Sequence, residues 1–288
     1  MILKKEIEKK AIAHGVSRST VDKDWVLGHF IDAIFSIEKC RQGLVFKGGT
    51  CLRKCYIENY RFSEDLDFTA LNPEFVLDDQ LLTQIIDIVS SRTEMLLHID
   101  KFTVLKHKDK PTGYAAIVKF WGADHAKDQA PPPPDRWTTS IKIEIIQYEQ
   151  MIFPVVVRPV YHDYSDALTT ATKEVPCYDI REVLSEKIRA LIQRSYTAPR
   201  DYYDIWYLSN SFKELNWKEI TAAFYEKMKF KGIEFTGIDQ LLNSKSERAV
   251  KLAWKNSLGH QITSNDLPDF ESVRAELELL FNKYFATT

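Results

Sequence analysis

Two short stretches constrain this chain more than any others: Leu44-Val45-Phe46-Lys47-Gly48-Gly49-Thr50, and Asp65-Leu66-Asp67 fifteen residues further on. An apolar run feeds two glycines and a hydroxyl residue, and a second short run carries two carboxylates one residue apart. Alternate residues of a strand point the same way, so Asp65 and Asp67 are expected on one face of a sheet. Two like charges held that close are costly unless a cation joins them. The glycines let the backbone turn sharply and approach a ligand, and a helix starting at Thr50 would present free N–H groups to an anion. A phosphate cradle beside a carboxylate pair points to phosphoryl or nucleotidyl transfer.

The rest of the composition narrows the class without naming a partner. The 288 residues suffice for one large domain or two ordinary ones, and 44% hydrophobic content with 10 Gly and 11 Pro reads as globular. The 39 basic and 41 acidic residues nearly cancel, so only a local patch could argue for nucleic acid. Cys40, Cys51, Cys55 and Cys177 form no metal or disulfide spacing, and none of the seven histidines has zinc-like spacing. Cys51 and Cys55, four apart, read as small buried groups. Met1-Ile2-Leu3-Lys4-Lys5 lacks the apolar run of a signal peptide, and no stretch has the length and apolarity of a membrane span. A soluble cytoplasmic protein with no membrane partner is expected.

Periodicity divides the chain into an α+β part up to about residue 165 and a helical part over 166–288. After a break at Ser17-Arg18-Ser19-Thr20, a helix is expected from about Asp22 to Cys40, then a strand at Leu44–Lys47 and a short helix after the glycines. An amphipathic helix over 78–98 precedes two strands, Phe102–Lys106 and Tyr114–Phe120, joined through Lys110-Pro111-Thr112-Gly113. Their lysines read either as a groove lining or as a solvated edge. Residues 122–139, with Pro131 to Pro134, read as an exposed loop. Ser140–Ile146 alternates as a strand, which puts Glu144 in place for a third metal ligand. Residues 152–161 read as extended. Helical periodicity then begins near residue 178, with a loop at Tyr196–Pro199 and further helices at about 217–229, 237–256 and 269–284.

Gly48-Gly49-Thr50 is neither a Walker A loop nor a dinucleotide fingerprint. Combined with Asp65, Asp67 and Glu144, it resembles the metal site of DNA-polymerase-beta-like nucleotidyltransferases. Within that superfamily, four segments resemble the AbiEii/AbiGii toxin family. They are Phe46-Lys47-Gly48-Gly49-Thr50-x-Leu52, Arg61-Phe62-Ser63-x-Asp65-Leu66-Asp67-Phe68, Glu182-x-x-x-Glu186-Lys187-Ile188-Arg189-Ala190-Leu191 and Arg200-Asp201-x-Tyr203-Asp204-Ile205. The resemblance implies a small mixed sheet with flanking helices, followed by a helical domain that contributes Lys187, Asp201 and Asp204 to the cleft. It also implies a toxin of a toxin–antitoxin or phage-abortive system, with a cognate antitoxin as partner. Such an enzyme would use Mg²⁺ (or Mn²⁺) to move a nucleotide from an NTP onto an RNA such as tRNA.

On that reading, Asp65, Asp67 and Glu144 hold the metal, while Gly48, Gly49 and Thr50 take β- and γ-phosphate oxygens. Lys187 would neutralise the leaving pyrophosphate; on the residues alone it could equally be a surface ion pair. Asp204 would orient Lys187 or touch base or ribose, and Asp201 reads also as an N-terminal helix charge. Arg61 would pair with a carboxylate or reach phosphate, and Ser63 would fix the loop. Tyr202, Tyr203, Trp206 and Tyr207 read as core packing or as a base-stacking platform. Transfer to a protein or small molecule, and a catalytically dead nucleotide-binding regulator, are the competing functions.

Overall fold

The computed structural model describes residues 1–125, 129–194, 198–242, 244–263 and 266–286. The chain forms two compact units. The first contains Met1–Glu149 and Val155–Tyr178, the second Gln150–Pro154 and Asp179–Thr288.

In the first unit, α1 (Lys4–His14) leads to α2 (Arg18–Ser36). The segment that reads as a break is the cap of α2: the Ser17 hydroxyl oxygen accepts the N–H of Thr20 at 3.1 Å, satisfying one of the first-turn donors. Trp25, Val26, Phe30, Ile34 and Phe35 are buried, and nearly the whole circumference of α2 lies in the core. The expected single helix to Cys40 is two, because Ile37 is extended and separates α3 (Glu38–Gly43). Strand β1 (Leu44–Lys47) follows with all four residues buried. Helix α4 (Gly48–Cys51) begins at Gly48 rather than Thr50 and widens into a π turn at Leu52–Tyr56. Then come β2 (Asp65–Ala70) and α5 (Asp79–Thr93), which is capped by Asp78 and stops at Glu94 in a left-handed conformation.

That stop releases the chain into a long hairpin, β3 (Leu96–His107) and β4 (Lys110–Trp121). The turn is at Lys108-Asp109, both at positive φ (47° and 65°), not at residues 110–113. Two such residues match the right-handed twist of the flanking strands, so the pairing continues through Pro111 and Gly113. Strands β5 (Ser140–Ile146), β6 (Val156–Arg158) and β7 (Val175–Cys177) complete a seven-stranded mixed sheet ordered β3-β4-β5-β2-β1-β7-β6. The β2–β5 and β1–β7 pairs are parallel and the others antiparallel.

The two faces of the sheet differ. Leu66 and Phe68 of β2, Ile141, Ile143 and Ile145 of β5, and Tyr114, Ala116, Val118 and Phe120 of β4 are buried in one core with α2 and α5. Their alternating neighbours Asp65, Asp67, Lys142, Glu144, Ala115 and Ile117 are only half-buried on the other face.

The proline-rich stretch 122–139 is largely exposed over its described residues 129–138 and is anchored near both ends. Asp22 accepts the Ala123 N–H at 2.8 Å, and buried Trp137 donates to the Pro132 carbonyl at 2.8 Å. Residues 126–128 of this stretch, and 196–197 of the loop expected at Tyr196–Pro199, lie outside the described residues.

The second unit is helical: α6 (Ile180–Gln193), α7 (Pro199–Ser211), α8 (Trp217–Phe230), α9 (Ser244–Leu258) and α10 (Phe270–Phe285). Asp179 caps α6 through the Arg181 N–H. Tyr202 and Tyr203 are buried against Phe270 and Trp254, so these aromatics serve the helical core. Trp206 donates to Glu276 at 2.8 Å. At the base of the unit, Glu182 and Lys227 form an ion pair at 2.5 Å with both side chains 0% exposed. Glu182 also accepts the N–H groups of Ile152 and Phe153 (2.9 and 2.7 Å), and Lys227 donates to the Gln150 carbonyl at 2.8 Å. This network fastens residues 150–154 to α6 and α8. Among the described residues no helix is long and apolar enough to cross a membrane.

Candidate active site

Strand register assembles the carboxylates. In the parallel β2–β5 pair, Asp65 lies opposite Lys142 and Asp67 opposite Glu144, so four charged side chains form a square on one face. On the other side, the antiparallel β1–β2 pair sets Lys47 opposite Asp67. Asp67 has its carboxyl pushed up to about 6: burial is the main cause, and the charges of Asp65 and Glu144 add to it. Lys47 and Lys142 pull the other way. Lys142 bonds Glu144, and that contact together with the nearby Asp65 and Asp67 outweighs burial and raises its own pKa. Lys47 and Lys142 are the site residues that the sequence reading passed over. Their signal was present: Lys47 directly precedes the glycines, and Lys142 shares a strand face with Glu144.

The glycine turn packs directly on this cluster. Gly48 has φ +79°, and a Cβ there would lie 2.3 Å from Asp67 Oδ2. At Gly49 a Cβ would meet Ser63 Oγ at 2.8 Å and Arg61 Nη2 at 2.9 Å. Arg61 and Ser63, both buried, therefore line the turn from the β2 side. The Thr50 hydroxyl donates to the Asp65 carbonyl at 2.5 Å and ties the turn to the carboxylate strand. Gly48→Ala combines a left-handed backbone with a collision at Asp67. It is expected to cost about 1–3 kcal/mol of stability and most of the activity, measured by urea unfolding and nucleotide transfer. Wild-type values for both would show that the turn tolerates a side chain.

Asp65, Asp67 and Glu144 supply only oxygen donors, the set that suits a hard divalent cation such as Mg²⁺.

Lys187, Asp201 and Asp204 come together within the second unit. Lys187 Nζ on α6 lies 2.6 Å from Asp204 Oδ2 and 3.3 Å from Asp201 Oδ1 on α7. Arg194 holds the other Asp201 oxygen at 2.6 Å. Asp204 is fully buried and Lys187 is 13% exposed, so the ammonium is held by the neighbouring helix rather than by an i,i+4 partner.

Two clusters that spacing did not reveal are built by the fold. The ligand atoms of Cys51, Cys55 and Cys177 lie within 4.8 Å of one another, as do those of His29, His162 and Asp166. The thiols are free and buried. Asp166 accepts N–H groups from Trp25 (3.0 Å) and His29 (2.9 Å), with His162 at 3.0 Å. Although burial opposes it, these contacts hold the Asp166 carboxyl well below its usual range. The His162 Nδ1 is buried without a hydrogen-bond partner, and the ring packs where a Cβ on Gly28 would fall. Through Asp166 the two histidines and Trp25 tie residues 162–166 to α2.

The mixed sheet with its in-register carboxylates, glycine turn and helical extension defines a nucleotidyltransferase of polymerase-beta-like architecture. Residues 29–276 match the family described as nucleotidyl transferase AbiEii toxin, type IV TA system. The chain belongs to that family of toxin nucleotidyltransferases and is an enzyme of that class. Among solved structures it is similar to MenT4, the nucleotidyltransferase toxin Rv2826c from Mycobacterium tuberculosis H37Rv. The two share 17% identity and a TM-score of 0.66, over 98% of this chain and 89% of that one. It is also similar to JHP933 from Helicobacter pylori, with 16% identity and a TM-score of 0.52 over 93% of each chain. Identities this low speak for the fold alone. No curated protein matches the chain in sequence.

Proposed function

We propose that this enzyme transfers a nucleotide from an NTP to a hydroxyl of an RNA such as tRNA, and that it requires Mg²⁺. The observation that carries the reading is the in-register pairing of Asp65 and Asp67 with Glu144, directly against the Gly48-Gly49 turn.

Asp65, Asp67 and Glu144 would hold the cation, with Glu144 exchanging its bond to Lys142 for it. A divalent ion held there would supply positive charge for the triphosphate and acidify the attacking hydroxyl. The backbone of Gly48 and Gly49 takes phosphate oxygens, because no side chain blocks close approach there. Arg61 adds a buried cation beside the turn, Ser63 fixes it, and Thr50 keeps it in step with β2. Lys187 supplies the charge for the leaving pyrophosphate, a role taken from the family resemblance, with Asp204 and Asp201 positioning its ammonium. Toxicity by this route would be countered by a cognate antitoxin.

The test is incubation with each radiolabelled NTP and Mg²⁺ in the presence of deproteinised RNA, total protein or small acceptors. Label is expected in RNA with wild type and absent with Asp65→Ala. Label confined to protein or small molecules would replace RNA as the acceptor. No transfer with any NTP, together with growth arrest that survives Asp65→Ala, would identify a nucleotide-binding regulator instead.

A further inference from the structure

The carboxylate face of the sheet continues past the metal ligands. Reading across the strands from Asp65, the residues in register are Lys142 on β5, Ile117 on β4 and Lys101 on β3. From Asp67 the corresponding row is Glu144, Ala115 and Thr103. Lys119 lies one row further, opposite Ser140 and His98. Ala115, Ile117, Lys119 and Thr103 are half-buried, and Lys101 and His98 are exposed, while the alternating residues behind them fill the core.

The two rows differ in relief. Ala115 and Thr103 are small, and they lie between Ile117 with the lysine stems on one side and Gly113 with Leu105 on the other. Strands lie about 4.8 Å apart, so this trough runs about 14 Å from β2 to the β3 edge. Along it, charge changes from the acidic cluster to Lys101 and Lys119, the latter balanced by Asp100 at 2.8 Å.

We propose that this trough seats the single-stranded 3′ end of the RNA acceptor. The reading rests on the proposed transfer to RNA and specifies where that RNA lies. The terminal hydroxyl must reach the α-phosphate beside Asp65 and Asp67, so the preceding nucleotides leave across whichever surface adjoins those residues. The small Ala115 and Thr103 leave a floor that admits one strand, and Ile117 beside them offers an apolar face to a sugar or base. Lys101 then meets a backbone phosphate at the distal end, the kind of sequence-independent contact that fixes register along a strand. The length leaves room for only a few nucleotides.

The test uses the full chain and a 5′-fluorescein single-stranded RNA oligonucleotide with a free 3′ hydroxyl, read by anisotropy over a salt series and by label transfer. Lys101→Glu and Thr103→Glu are expected to weaken binding by about fivefold or more, and Lys101→Glu to lower the salt slope by about one. Lys108→Glu makes the same charge change at the hairpin turn and is expected to leave binding within about twofold of wild type. All three are expected to bind Mn²⁺ and NTP as wild type does. Ile117→Ala provides a milder change on the wall and is expected to weaken binding without altering the salt slope. Equal weakening by Lys108→Glu and Lys101→Glu would overturn the trough, because bulk charge would then explain the effect. Unchanged binding in Lys101→Glu and Thr103→Glu would overturn it too, as would a preference for blunt duplex RNA. If wild type labels RNA while these variants label it equally well, only the trough fails. If wild type labels no RNA at all, the acceptor assignment fails first.

Discussion

Asp67→Asn is expected to abolish nucleotide transfer while making the metal-free protein more stable at neutral pH. Loss of one charged group that holds the reacting centre lowers turnover by about 10²–10³-fold or more. The stability effect follows from the raised carboxyl. The folded state holds the Asp67 proton up to about pH 6, whereas an unfolded Asp loses it near pH 3.9. Between these values the folded state binds more protons, so stability falls as pH rises from about 4 to about 6 and then levels. The whole penalty amounts to up to about 3 kcal/mol. Asparagine keeps the shape and removes the charge, so the variant should show a flatter pH profile and a higher melting temperature in EDTA at pH 7.5. Mg²⁺ should narrow the difference by stabilising wild type alone. Thermal unfolding across pH, with and without EDTA, decides the matter. A variant less stable than wild type at pH 7.5 would mean that Asp67 is a structural anchor.

Lys227→Met should be among the most destabilising single changes in the helical unit. It leaves the Glu182 carboxylate, 0% exposed, with the Ile152 and Phe153 N–H groups as its remaining described partners. Breaking a buried pair from one side costs about 3–5 kcal/mol, because the surviving charge can neither pair nor reach water. Replacing both residues, as Glu182→Gln with Lys227→Met, should recover much of that loss, since a neutral pair carries no desolvated charge. Urea unfolding of the two single variants and the double variant closes the cycle. Single variants within about 1 kcal/mol of wild type would show that the pair is hydrated in solution.

The legibility of the site varied with the type of information each residue carries. Asp65 and Asp67 share a face because they are two apart on a strand, and that follows from local geometry. Glu144 was legible as a residue on an alternating strand, but its position opposite Asp67 depends on the parallel β2–β5 register, which no local pattern encodes. Lys142 and Lys47 escaped notice for the same reason: an alternating lysine looks solvent-facing until a neighbouring strand places carboxylates beside it. The hairpin turn was misplaced because Pro111 and Gly113 are strong local turn residues. The fold instead uses Lys108 and Asp109 at positive φ, and the continued ladder outweighs that local preference. The Ser17 segment was read as a break when it was a cap, an ambiguity inherent in residues that favour both. Cys51 with Cys55, and His162 with Asp166, are four apart, but the third members Cys177 and His29 lie more than a hundred positions away and leave no spacing to read.

By itself the sequence determined the chemistry on offer: a glycine turn without side chains, two carboxylates on one strand face, and a helical half carrying Lys187, Asp201 and Asp204. Those features depend on periods of two and 3.6 residues and on which residue types tolerate a sharp turn. Tertiary structure decided what each charge meets. It set Glu144 and Lys142 against the aspartates, gave Lys187 its two carboxylate partners, and extended the carboxylate face into a trough across β4 and β3. Strand order and register fix the encounters on the sheet, settled by burying one of its faces as a whole, and the contact of α6 with α7 fixes those of Lys187; no short stretch of chain encodes either.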